Sequence, residues 1–163
     1  MRIGHGYDAH RLTAGRPLVL GGVEIASPLG LEGHSDADVL CHAVTDALLG
    51  AAGLDDIGHW FPDTDPAYRG ARSLDLLQRV SEMLAARGFA VGNVDVTVVA
   101  QRPALAPHRA AMRRNLARAL GCGLDSVGLK ATTEEGMGFT GAGEGIAAHA
   151  VVLLFSQKPD GPV

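Results

Sequence analysis

Apolar residues recur along this chain at two periods, and the switches between them mark its elements. In NVDVTVVA, Val94, Val96 and Val98 alternate with other residues, the two-residue period of a strand with one buried face. Leu40, Val44, Ala47, Leu48 and Ala51 recur at helical spacing instead, which predicts a helix through SDADVLCHAVTDALLGAAG. Ser35 stands as its expected N-cap, with Asp38 in the capping-box position, and Gly50 or Gly53 ends it. A second helix is predicted over 73–87, with Leu74, Leu77, Val80 and Leu84 on one face and Gly88 as its stop. A third starts at Pro107 and ends before Gly121.

The remaining apolar runs read as strands. Arg2 to Arg11 forms an opening strand, and LVLGGVEI, Leu18 to Ile25, a hairpin turning at Gly21-Gly22. SVGLKAT is a shorter strand. IAAHAVVLLF is apolar on both faces and must be covered on both sides, by helices on one and by other subunits on the other. The expected fold is α+β, sandwich-like, with a small mixed β-sheet backed by helices. It occupies a single domain over 1–155, and the tail 156–163 is expected to fray. One segment, DDIGHWFPDTDPAYRG, has no period and carries four aspartates, which predicts a functional loop.

Charge narrows the partners. A net charge of -4 with dispersed Lys and Arg leaves no basic patch for nucleic acid and no cationic face for a membrane, so a small ligand is expected. No apolar run is long enough to span a bilayer and no secretion signal opens the chain, which places the expected site of action in the cytosol. Cys41 and Cys122 fall in no paired motif and read as reduced, buried thiols.

Chemistry enters at GHGYDAHRL. On a strand, Asp8 and His10 share one face, while His5 and Tyr7 lie on the other. His42 stands beside the stripe of the first helix, with Asp38 and Asp46 one turn before and after it, placed to orient its imidazole. Two histidines and one aspartate could hold zinc and leave its fourth position open, as catalytic sites do. The plainer alternatives are a chance Asp-x-His pair and a hydrogen-bonded histidine. The run TTEEGMGFTGAGEG lets the backbone approach a ligand closely, with Thr132 and Thr133 as hydroxyl donors. It could cradle phosphate or merely turn between strands. Glu134 and Glu135 beside phosphate would call for a hard cation such as Mg²⁺. The aspartates of the 55–70 loop could accept bonds from a polyol or form Asx turns. Arg109, Arg113, Arg114 and Arg118 read as a solvated helix face.

Taken in order, GHGYDAH, GHSDADVLCHAVTDALLGAAGLDDIG, FPDTDPAYRGA, GNVDVT, PHR, KATT and GEGIA span nearly the whole chain. Together they resemble the 2-C-methyl-D-erythritol 2,4-cyclodiphosphate synthase family of the non-mevalonate isoprenoid pathway. The resemblance implies a homotrimer, its sheets facing a three-fold axis, with active sites at subunit interfaces that use zinc and magnesium or manganese. The substrate would be 4-diphosphocytidyl-2-C-methyl-D-erythritol 2-phosphate. Its own 2-phosphate attacks the β-phosphorus, and CMP leaves as the cyclic diphosphate closes.

Carried onto this sequence, the resemblance gives zinc to Asp8, His10 and His42, and the second cation to Glu135. His34 and Thr133, with Ser35, would steady phosphoryl oxygens. Asp56, Ile57 and Gly58 would receive the methylerythritol hydroxyls, and the loop Phe61, Pro62, Asp63, Thr64 and Asp65 would close over them. The cytosine would lie against Ala100, Gln101, Arg102, Pro103, Ala104, Leu105 and Ala106, with Thr132, from a neighbouring subunit. Glu134 and Phe139 fall in the same substrate-binding set. The chain departs from the family at Ala104, where Lys is usual, and Arg102 is the expected compensation. It departs also at Ala142, where Arg near the axis is usual, which implies weak binding of isoprenoid diphosphates there. Glu134 and Arg72 are further departures. The rival expectations are a zinc phosphohydrolase and a zinc-stabilised trimeric binding protein without turnover.

Overall fold

In the computed structural model, which describes residues 1–156, the opening strand runs past its expected end, and β1 spans Arg2–Ala14. β2 (Leu18–Leu20) and β3 (Val23–Ile25) form the predicted hairpin. Gly21 and Gly22 at its turn have φ of 55° and 68°, the left-handed pair that a tight hairpin turn demands. β4 (Leu29–Leu31) is an edge strand that the sequence pattern does not announce, because so short a run carries no period.

The predicted helices follow with adjusted ends. α1 (Val39–Ala52) closes at Gly53 in the left-handed conformation, but its N-cap is Asp38, not Ser35. Asp38 wins because its buried carboxylate reaches beyond its own helix: it accepts from Cys41 N at 3.2 Å and from Gly21 N and Gly22 N at 3.0 and 2.7 Å. The aperiodic loop contains a single-turn helix, α2 (Ile57–Trp60), and a 3₁₀ turn at Pro66–Tyr68. α3 (Ser73–Ala86) matches its expectation. α4 (Arg109–Leu120) starts two residues later than Pro107, because Ala106–His108 forms a 3₁₀ turn, and it ends at Gly121. β5 (Phe89–Val99) precedes α4, and β6 (Val127–Thr132) follows it. The glycine-rich run folds into another single turn, α5 (Gly138–Gly141), before β7 (Gly145–Ser156). Ser156 pairs with Phe89, so the ordered domain passes residue 155, and the rest of the expected tail, 157–163, lies outside the described residues.

The sheet order is β4-β1-β7-β5-β6, with β5 and β6 parallel and the other neighbours antiparallel, the mixed sheet expected. α1 lies across β1 and β7, α3 packs beside it over β5, and α4 packs beside α3 over β6. Val94, Val96, Val98, Ala148, Ala150 and Val152 meet Leu40, Val44, Ala47, Leu48, Leu77 and Leu116 in a core closed to solvent. The opposite sheet face is open in this chain: Ile3, Tyr7, Val151 and Phe155 are 74, 47, 46 and 42 % exposed. Thus α1 supplies one of the two covers that β7 calls for.

The contact between β1 and α1 is backbone to backbone. A Cβ on Gly4 would lie 1.9 Å from Ala47 O, and one on Gly6 would lie 2.0 Å from Ala43 O. Only residues without a side chain allow so close an approach. Among the described residues, no helix is long and apolar enough to cross a membrane.

Candidate metal centre

Strand alternation turns Gly4, Gly6, Asp8 and His10 toward α1, and His5 and Tyr7 the other way. On that other face the rings of His5 and Tyr7 stand 5.8 and 4.8 Å from His149. Because α1 rests on Gly6 through Ala43, the preceding residue, His42, comes to lie over Asp8 and His10. Asp8 Oδ2 is 2.9 Å from His10 Nε2 and 3.0 Å from His42 Nδ1, and the two nitrogens are 3.1 Å apart.

This near-equilateral triangle fits a metal ion. Zinc with nitrogen and oxygen ligands at about 2.0–2.2 Å in a tetrahedron would set them roughly 3.3–3.5 Å apart, a few tenths of an ångström wider than seen. The histidine chemistry fits as well. His10 Nδ1 lies 2.7 Å from the backbone carbonyl of Glu32, which can only accept, so Nδ1 carries the proton. In the neutral ring Nε2 then directs a lone pair at the Asp8 carboxylate, which a metal ion between them would satisfy; without one, a proton on Nε2 bonds to the carboxylate. Burial opposes the charge on Asp8, but hydrogen bonds from His10 and His42 and their charges outweigh it and hold the carboxyl well below its usual range. Burial likewise opposes protonation of His10, and Asp8 and the Glu32 carbonyl override it, so its pKa is raised. Asp8, His10 and His42 are the group able to hold a metal ion among the described residues.

The neighbours of His42 differ from those expected. Neither Asp38 nor Asp46 bonds to the imidazole. Asp38 is spent on backbone N–H groups, and Asp46, its carboxyl raised mainly by burial, accepts from Ile57 N at 2.8 Å and so ties α2 to α1. His42 Nε2 instead faces Ser73 Oγ at 2.8 Å and Ser35 Oγ at 3.2 Å. The buried Ser35 hydroxyl therefore sits on the side of the ring away from Asp8. His34 Nε2 reaches Asp65 O at 3.1 Å, which joins it to the Phe61–Asp65 loop. Asp56 caps α2, accepting from His59 N at 3.0 Å, and Gly58 and Asp56 are exposed beside the half-buried Ile57. Within the loop Phe61 packs edge-on to Tyr68, Pro62 and Asp65 are half-buried, and Asp63 and Thr64 are exposed.

The other expected residues gather elsewhere on the sheet. Ala100 to Ala106, Ala131, Thr132 and Thr133 line an open cavity of about 1060 Å³, together with Arg109 and Ala142. Arg102 and Arg109 both reach it, so Arg109 does more than form a solvated face. Arg113 also differs, donating to Val127 O at 2.8 Å and Leu124 O at 3.0 Å. Thr133 Oγ1 donates to Glu135 Oε1 at 2.7 Å, and Glu135 holds a left-handed backbone, φ 52°. The Glu134 carboxylate accepts from Thr140 and closes its own loop. Phe139 is exposed next to Gly145, and Arg72 pairs with Asp75 at 3.5 Å. Asp8, Ala148, Val98 and Ala131 are partners in one row across four strands. The two groups therefore share one end of the sheet: Asp8 and Ala131 stand three strand spacings apart, roughly 14 Å, while the cavity itself extends back to Leu12 of β1 and Leu29 of β4.

Residues 1–155 match the YgbB family. This chain belongs to that family. Among curated YgbB relatives, the 2-C-methyl-D-erythritol 2,4-cyclodiphosphate synthase of Trichlorobacter lovleyi is 62 % identical over 96 % of this chain and all of its own length. A 2C-methyl-D-erythritol-2,4-cyclodiphosphate synthase solved in a CDP-bound form is 46 % identical over 94 % of this chain and all of that one, with a TM-score of 0.87. The bifunctional IspDF of Campylobacter jejuni, 43 % identical over 96 % of this chain, superposes with a TM-score of 0.91, and this chain spans 43 % of its length.

Three residues behind the ligands were not singled out for chemistry by the sequence. Ser73 read only as a helix start, and Asp36 not at all. Arg16 donates to Gly33 O at 2.8 Å and Ser35 O at 2.7 Å, holding the loop that carries His34 and Ser35. Their partners lie far along the chain, and no local pattern marks them.

Proposed function

We propose that this chain converts 4-diphosphocytidyl-2-C-methyl-D-erythritol 2-phosphate to 2-C-methyl-D-erythritol 2,4-cyclodiphosphate and CMP. The observation that carries the proposal is the open triangle of Asp8, His10 and His42 at the same sheet end as the Ala100–Ala106 cavity. The names of the YgbB relatives, one of them with CDP bound, support the choice of substrate. Zinc at the triangle and magnesium or manganese at Glu135 would supply Lewis-acid polarisation and charge neutralisation along the phosphate chain.

The nucleophile is the substrate's own 2-phosphate, so the chain need only fold a flexible polyanion into line and stabilise developing charge. Its thiols suit that division of labour: burial pushes both Cys41 and Cys122 up, away from the reactive thiolate. His34 and Thr133 donate to phosphoryl oxygens as charge builds. Ser35 acts chiefly by supporting His42. Asp56, Ile57 and Gly58 receive the methylerythritol, and the Phe61–Asp65 loop, tied to His34, covers it. The cytidine lies in the cavity, with Arg102 standing in for the lysine absent at Ala104.

Membership of the YgbB family and the open sheet face of this chain lead us to place each active site between neighbouring protomers of a homotrimer in the cytosol. The metal half comes from one and the nucleotide half from the next. The same assembly would cover the open face of β7. The deciding experiment incubates the purified chain with the nucleotide-linked substrate, zinc and Mg²⁺. Equimolar CMP and cyclic diphosphate are expected, and linear phosphates from many substrates would instead indicate a phosphohydrolase.

A further inference from the structure

We infer that Asp36 and Ser73 are positioning residues, a hydrogen-bonded relay that makes His42 an Nδ1 metal ligand. The inference rests on the metal centre proposed above and assigns the task of orienting His42 to groups on two other segments. Ser73 is 1 % exposed and opens α3, yet its side chain caps no part of that helix. Its hydroxyl instead points across to Asp36, whose Oδ1 it approaches closely, and the same carboxylate oxygen takes the Ser73 backbone N–H at 3.1 Å. Asp36 is itself anchored, its N–H donating to Ala71 O at 2.9 Å.

A serine hydroxyl has one proton. With that proton on the bond to Asp36, Ser73 Oγ has only lone pairs left for its other neighbours. His42 Nε2, at 2.8 Å, must then be the donor. Ser35 Oγ completes the surroundings at 3.2 Å from both His42 Nε2 and Ser73 Oγ, and it accepts the Ala37 N–H at 3.1 Å. In the neutral ring, the one that can take a metal ion, the proton on Nε2 leaves Nδ1 with its lone pair facing Asp8 Oδ2 and His10 Nε2. A carboxylate, a hydroxyl and an imidazole in series also raise the basicity of the ligating nitrogen, as partners behind metal-bound histidines do. His10 reaches the same state through the Glu32 carbonyl, so the two rings are set by unrelated devices.

The test uses the full chain with zinc alone. In zinc-loaded protein the Nε2 proton of His42 should appear by NMR as a slowly exchanging resonance, and Ser73→Ala should lose that protection. Zinc affinity, measured by chelator competition, should fall about 10–100-fold in Ser73→Ala. A Ser73→Ala protein that keeps both the protected proton and wild-type affinity would overturn the relay. If that variant does not fold, the wild-type spectrum decides: a His42 ring carrying its proton on Nδ1 overturns the inference. His42→Ala separates the two levels. Unchanged zinc affinity in His42→Ala would refute the metal centre itself, whereas loss there with retention in Ser73→Ala would refute only the relay.

Discussion

Gly6 and Ala43 meet with no side chain between them: a Cβ on the glycine would fall 2.0 Å from the carbonyl oxygen of the alanine. That contact sets the height of α1 above β1, and with it the distance from His42 to Asp8. Gly6→Ala should therefore destabilise the fold by about 1–3 kcal/mol or more through overpacking, and release zinc as well. Gly50→Ala is the control on the same helix, since nothing lies within 4 Å of its added methyl group. It should raise stability by about 0.5–1 kcal/mol and leave zinc content unchanged. Urea melts and metal analysis of both variants check the pair; a zinc-replete Gly6→Ala would uncouple helix height from ligation.

In the metal-free protein, the shifts of Asp8 and His10 set a stability window. Asp8 is depressed below its ordinary 3.8, so its contribution is present above that value and fades as pH falls toward the folded pKa. His10 is raised above 6.5, so its contribution is full below that value and is lost as pH rises through the folded pKa. Thermal melts of the metal-free chain should show the pair at full strength between these two ordinary values. Asp8→Asn should flatten that dependence, and an unaltered profile would contradict the charge pairing.

The proposed division of the site between protomers would make complementation possible. His42→Ala and Thr133→Ala should each be inactive alone. Mixed under conditions of subunit exchange, they should regain roughly a quarter of wild-type activity, the chance that one interface joins the two intact halves. A mixture that stays inactive despite exchange would place the whole site within one chain.

Glu135→Gln should raise the Mg²⁺ concentration needed for half-maximal turnover while zinc content stays constant. A matching Mg²⁺ titration in both proteins would remove Glu135 from the cation site and leave it as the partner of Thr133.

What could be seen in advance follows the range of the interactions. The stripe from Leu40 to Ala51 and the alternation from Val94 to Val98 are local, and both elements lie where expected. Asp8, His10 and His42 were legible because strand and helix periods state which face each occupies. The start of α1 misled because Ser35 has the right chemistry for a cap, while Asp38 gains its advantage from Gly21 and Gly22, a turn distant in sequence. The Ser73–Asp36 contact has the same character. β4 and α5 were missed because three or four residues held by their neighbours need no period of their own.

Asp38 also governs lifetimes. Its carboxylate gathers N–H groups from the β2–β3 turn and from the first turn of α1, so neither can open without stranding a charge or a donor in the core. The amides of Gly21, Gly22 and Cys41 should therefore exchange with solvent at one common opening rate. His42, one residue further along the same turn, is held over Asp8 only while that hairpin stays closed.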